Sequence, residues 1–133
     1  MKINKKTFTI ALWAVVIILC YWGWHAGKKY ERTIQKDTQI TNGKILSTSV
    51  SYRGGVYVEY SFEDNNGKSW ETEQPMNIEM WKRNSFVNKR FPVVFSKMKP
   101  EINEILIFPK DFEKYNIPFP DSLQWVKKLG IGN

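Results

Sequence analysis

From Thr7 to Gly27 the chain runs for 21 residues without a formal charge, between Lys2, Lys5 and Lys6 on one side and Lys28, Lys29 and Arg32 on the other. At about 1.5 Å of rise per residue, such a run makes a helix roughly 32 Å long, close to the ~30 Å hydrocarbon core of a bilayer. Phe8, Ile10, Leu12, Val15, Val16, Ile17, Ile18 and Leu19 cover all sides of that helix, the distribution of a spanning segment rather than of one lying on a surface. Each favours insertion by roughly 0.3 to 0.6 kcal/mol near the helix centre, or about 2.5 to 5 kcal/mol together. Tyr21, Trp22 and Trp24 cluster just before Lys28, where amphipathic rings settle at headgroup level.

The segment reads as a retained anchor. A cleavable signal needs small residues at its cleavage site, and Trp24-His25-Ala26 places a bulky ring there. A lipoprotein signal needs a small residue directly before the acylated cysteine, whereas Leu19 precedes Cys20. Cations flank both ends, so the positive-inside rule alone does not orient the helix. A short tail carrying three lysines resists translocation, which places the N-terminus in the cytoplasm and the domain outside. The expected location is the cell membrane, crossed once.

The 133 residues leave room for this span and one further domain of about 95 residues, small but able to fold alone with a filled core. The expected organisation is a basic tail (1–6), a transmembrane helix (7–27), a polar stalk (28–39), a β domain (40–121) and a tail (122–133) with a short amphipathic helix. Of the 20 Lys and Arg, three precede the span, leaving 17 against 13 Asp and Glu within a net charge of +7. That mild excess suits an anionic membrane surface, and nucleic acid is not expected as a partner. Cys20, the sole cysteine, lies in the span and is silent on redox compartment.

Beyond Ile40 the periodicity changes. Asn42-Gly43 predicts a turn, and Lys44 to Tyr52 a first strand ending at Arg53-Gly54-Gly55. Val56, Val58, Tyr60 and Phe62 alternate with Tyr57, Glu59, Ser61 and Glu63, the period of a half-buried strand. Asp64-Asn65-Asn66-Gly67 turns the chain into a hairpin partner over Lys68 to Gln74, which Pro75 is expected to stop. Asn77 is placed to cap a short helix through Asn84 that packs Ile78 and Trp81 on the sheet. Arg90 to Ser96 and Glu104 to Phe108 predict two more strands, with Pro92 favouring an edge or an initial position. A helical turn is expected at Asp111 to Tyr115, and a helix capped by Asp121 or Ser122 is expected to run to Leu129. The fold class is therefore mainly β with an N-terminal transmembrane α-helix. Its domain is a small curved antiparallel sheet or partly open barrel of about five strands, with one or two short helices. Val58, Tyr60, Phe62, Val93, Phe95, Ile105 and Ile107 form its predicted core.

No residue constellation announces a reaction. His25, the one histidine, lacks ligand-spaced cysteines or carboxylates, so no metal site is expected. Phe62 to Glu73 has the acidic look of a calcium loop, but its first position is Phe62 and strands flank it. Glu71/Glu73 and Glu101/Glu104 carry no sign of burial, Arg53-Gly54-Gly55 is too short for a phosphate loop, and Ser85 and Ser96 lack a base. No catalytic residue, cofactor or small-molecule substrate is expected. Trp81, Lys82, Arg83, Lys89 and Arg90 form the densest basic and aromatic region, a candidate interaction surface.

Between Ile40 and Phe108, Gly43-Lys44-Ile45, Tyr60-Ser61-Phe62 before Asn66-Gly67-Lys68, and Phe91-Pro92-Val93-Val94-Phe95 before Pro100 set an order of elements. In that order the chain resembles the membrane-anchored domain-of-unknown-function 3592 family of bacterial proteins. It departs from that family's pattern at Lys97, where a proline is common, and at Phe95, where tyrosine is usual. The resemblance implies a membrane-associated β domain and transfers no catalytic residue. The expectation is a non-catalytic module of the bacterial envelope that contacts another protein. The alternative is binding of an anionic lipid or polymer by the basic and aromatic surface.

Overall fold

The computed structural model describes residues 13–22 and 37–129. The chain forms two compact units, Met1–Thr33 and Ile34–Asn133. In the first, helix α1 covers residues 13–22 and leaves Trp13, Val15, Val16, Ile17, Ile18, Leu19, Tyr21 and Trp22 exposed. Among the described residues no helix is long and apolar enough to cross a membrane. The expected span over 7–27 extends beyond α1 at both ends, so Phe8, Ile10, Leu12 and Trp24 lie outside the described residues, as do the basic tail and the stalk up to residue 36.

The second unit is built on one five-stranded antiparallel sheet. Its strands are β1 (Thr38–Val50), β2 (Val56–Glu63), β3 (Ser69–Met76), β4 (Arg90–Ser96) and β5 (Asn103–Ile105), in the order β3-β2-β1-β4-β5. The sheet curls into a half-barrel. β2 obeys the period-two rule, burying Val56, Val58, Tyr60 and Phe62 while Glu59 and Glu63 face solvent. All seven predicted core residues are buried, and they share the interior with Ile45, Phe86, Phe91 and Phe112. Each such side chain removed from water contributes about 1.5 to 3 kcal/mol. Phe62 and Phe95 meet at 5.4 Å between ring centroids, tying β2 to β4 through the core.

The two edges of the curl approach each other. The Gln74 side chain on β3 accepts from the Ile105 N–H (3.0 Å) and donates to the Ile105 C=O (3.2 Å) on β5. The buried Tyr60 hydroxyl donates to Asn103 Oδ1 (2.7 Å) beside it. A side-chain amide here does what a neighbouring backbone does in a closed barrel.

Several elements differ from the sequence expectation, each for a physical reason. β1 begins at Thr38, so Asn42-Gly43 lies inside a strand instead of a turn. Gly43 is there for space: a Cβ would stand 2.5 Å from Val93 Cγ2 and 3.2 Å from the Ser61 carbonyl. β3 runs through Pro75 to Met76. Hydrogen-bonded pairs counted from Asp64–Lys68 leave Tyr57–Pro75 as a pair that exchanges none, and β3 is an edge, so no donor is missed. Pro92 lies in the inner strand β4 opposite Asn42, in a pair that exchanges no hydrogen bonds, so β1 misses no donor. Its carbonyl turns to the other side to accept from Leu106 N–H (2.8 Å), and the return bond that the proline forgoes falls just past the end of β5. The helix expected after Asn77 is a 3-10 turn, Met80–Phe86, without a side-chain cap, and it buries Phe86 in place of Trp81. β5 ends at Ile105, short of the expected Phe108; Leu106 to Phe108 lead into helix α2 (Pro109–Lys114), which has a proline at its first turn and whose Asp111 side chain accepts from the Ile107 and Phe108 N–H groups.

The C-terminal segment is part of the core rather than a separate tail. A 3-10 turn, Asp121–Leu123, leads into helix α3 (Gln124–Lys128), which buries Leu123 and Val126. Trp125 packs against Phe86 and Phe91, with ring centroids at 5.4 and 6.1 Å. Neither Asp121 nor Ser122 caps these turns through its side chain.

Candidate functional site

The five residues of the predicted basic and aromatic surface have different fates. Trp81 is 75 % exposed and its neighbour Met80 48 %, both on the 3-10 turn over Met80–Phe86. Lys82 is committed to the fold. Its ammonium donates to the Leu129 carbonyl (2.6 Å), pairs with Glu79 (2.9 Å) and lies 4.6 Å from the centre of the Trp81 ring, with its side chain only 14 % exposed. Arg83 folds back on its own turn, donating to the Met80 carbonyl (3.2 Å). Lys89 stands 6.0 Å over Trp125. Lys82 therefore pins the turn to the C-terminal segment, and the ring left outward is Trp81. Sequence reasoning placed Trp81 inward because an i, i+3 pair with Ile78 fits a helix, but the turn starts at Met80.

Arg90 belongs to a different place. β1 pairs with β4 from Thr38 to Lys44 and with β2 from Lys44 to Val50, so it changes neighbour at Lys44. Beyond that residue β1 and the β2–β3 hairpin diverge, bridged by Asn65 Nδ2 donating to Gln39 Oε1 (3.2 Å). The fork holds a groove of about 300 Å³, lined in part by Asn42, Lys44, Ser61, Glu63 and Arg90. Neither Lys44 nor Arg90 enters an ion pair among the described residues. The sequence shows no signal for this site, since Lys44 and Arg90 lie 46 positions apart and meet only through the pairing of β1 with β4.

The carboxylates with perturbed titration serve turns. Asp64 organises the β2–β3 hairpin, accepting at Oδ1 from the N–H of Asn66 (2.8 Å) and Lys68 (3.0 Å) and at Oδ2 from the Trp70 indole (2.9 Å). The indole bond is the main influence holding its carboxyl below 3.8, assisted by both N–H groups and the Lys68 charge and opposed by desolvation. Asp111 is raised above 3.8, chiefly by burial, with nearby Glu104 adding to the rise. The Phe108 and Ile107 N–H groups that it accepts from, at 2.8 and 3.1 Å, oppose it, as does Lys114. Glu104 accepts from Lys114 (3.0 Å) and from the Tyr115 hydroxyl, joining β5 to α2. Glu71 and Glu73 are exposed on β3. Among the described residues no group of three or more His, Cys, Asp and Glu is arranged to hold a metal ion. His25 lies outside those residues.

No protein-family model matches the chain, and neither a curated protein nor a solved structure does.

Proposed function

We propose that this protein is a single-pass, membrane-anchored β domain of the bacterial envelope that acts as a non-catalytic protein-interaction module. The observation that carries the reading is the exposed Met80-Trp81 pair on a turn whose next residue is tied to Glu79 and to the Leu129 carbonyl. A large aromatic ring held outward by such ties loses little freedom on docking, which is the character of an energetic hot spot at an interface. Support for the anchor comes from α1, whose apolar side chains are uncovered by protein, and from the resemblance of the chain to the domain-of-unknown-function 3592 family.

The alternative, an anionic lipid or polymer held by Trp81, Lys82, Arg83, Lys89 and Arg90, has less support, because Lys82 is committed to the Leu129 carbonyl and to Glu79, and Arg90 lies apart at the β1–β4 pairing. The test is photo-crosslinking in native membranes from a benzophenone side chain at position 81 of the full-length chain. A discrete protein adduct, absent when the probe is moved to Lys110 and reduced by Met80→Ser, is expected. Equal labelling of lipid alone from both positions would remove the protein partner and favour the alternative.

A further inference from the structure

We propose that the fork between β1 and β2 binds a phosphate monoester, held between Lys44 and Arg90. These residues are directly opposed across β1 and β4. Ile45 N–H donates to the Lys89 carbonyl (3.0 Å) and Asn88 N–H to the Ile45 carbonyl (2.9 Å), so the exchange falls on the neighbouring residues. The 44/90 pair is thus of the closely spaced, non-hydrogen-bonded kind, with Cα atoms about 4.5 Å apart. Like charges directly opposed at that spacing destabilise a sheet. Neither cation has a carboxylate partner among the described residues, although Glu63 lines the same groove. A dianion between them converts the repulsion into two charge-assisted contacts, and the guanidinium fork matches two oxygens of a phosphate.

The remaining walls refine the ligand. The groove is about 300 Å³, the lower end of small-ligand sites. Glu63 disfavours a second anionic group and accepts from a hydroxyl or ammonium, while Ser61 and Ser69, also in the lining, offer hydroxyls. A phosphate monoester with an adjacent hydroxyl, as in a glycerol phosphate unit, matches this arrangement. The phosphate monoester itself occurs both in a free polyol phosphate and, with the glycerol hydroxyls acylated, as the headgroup of a phosphatidic acid, which offers the two cations the same dianion but leaves Glu63 without a hydroxyl. The site shares no residue with the Met80-Trp81 surface, so the two proposals stand or fall separately.

The experiment uses the full-length chain in neutral detergent micelles, titrated with glycerol 3-phosphate and, separately, with phosphatidic acid against phosphatidylcholine in the micelle. Thermal melting and backbone NMR shifts are followed at constant ionic strength. Saturable stabilisation is expected, with Lys44→Gln and Arg90→Gln each weakening binding on the order of tenfold. Without ligand, each variant is expected to melt at or above the temperature of the unsubstituted protein, because a repulsion is relieved, which separates loss of the site from loss of the fold. A response to glycerol 3-phosphate supports a soluble source, and a response to phosphatidic acid alone supports a lipid one. The proposal is overturned by equal responses in both variants and the unsubstituted protein, by acetate matching the phosphate ester, or by no response to either probe.

Discussion

Gly43 stands where β1 crosses from one neighbour towards the other, facing Phe91 on β4 with the Ser61 carbonyl at its other side. A methyl group there would collide with Val93, which is fully buried and has nowhere to yield. Gly43→Ala is expected to cost about 1 to 3 kcal/mol, measured as a lower urea midpoint with an unchanged slope. Asp64 makes a prediction of a different kind. Its folded pKa is lowered, so the stability it supplies is present above the unfolded value of 3.8 and is lost as pH falls through the folded value. Asp64→Asn keeps an acceptor for the turn but removes the charge, so the gap in melting temperature between variant and parent should be widest near neutrality and close on acidification below 3.8. A gap that is constant from pH 7 to 2.5 contradicts that role. The sequence showed Asn42-Gly43 as a turn because glycine advertises conformational freedom, and nothing local distinguishes that use from the need for an empty position beside a core valine. Gly67, by contrast, is used as read, with a φ of 76° at the end of the hairpin turn.

At the scale of elements, legibility followed the strength of alternation. β2 was plain because its two faces meet core and water. β4 was located by its apolar run, but its inner position was not, since Pro92 is an edge signal unless its missing donor points away from the long neighbour β1, to where β5 has already ended. The Met80–Phe86 turn was misread in its facing, because seven residues of 3-10 geometry and a true helix bury different positions from the same letters. Packing of α3 against the sheet was invisible, as it depends on Phe86, Phe91 and Trp125 meeting from three separate segments. The groove site was likewise beyond the sequence, needing the β1–β4 register to unite Lys44 with Arg90. The seam between β3 and β5 provides the test at this scale. Gln74→Leu keeps the bulk but leaves the Ile105 N–H and carbonyl without their side-chain partners. A loss of about 1 to 3 kcal/mol is expected, with accelerated hydrogen exchange at the Ile105 amide; unchanged exchange there would show that the two edges do not depend on the bridge.

For the whole molecule, the described C-terminal segment acts as a brace. Val126→Asp puts a charge at a fully buried core position and is expected to unfold the domain or cost at least about 3 kcal/mol, whereas Trp81→Ser should change stability by no more than about 0.5 kcal/mol while abolishing partner contact. Equal destabilisation by both substitutions would mean that the exposed ring is structural. Alkaline carbonate treatment of membranes is expected to leave the full-length chain in the pellet; its release would remove the anchor from the proposed function. The division of β1 between two neighbours has one more consequence, for the order in which the chain assembles during synthesis. The half that pairs with β2 can zip as soon as the first hairpin leaves the ribosome, while Thr38 to Gly43 waits for residues 91–96. Until then, this first half of β1 remains an unzipped strand, and nascent chains halted before Arg90 should be cleaved there by protease while those extended past α3 resist.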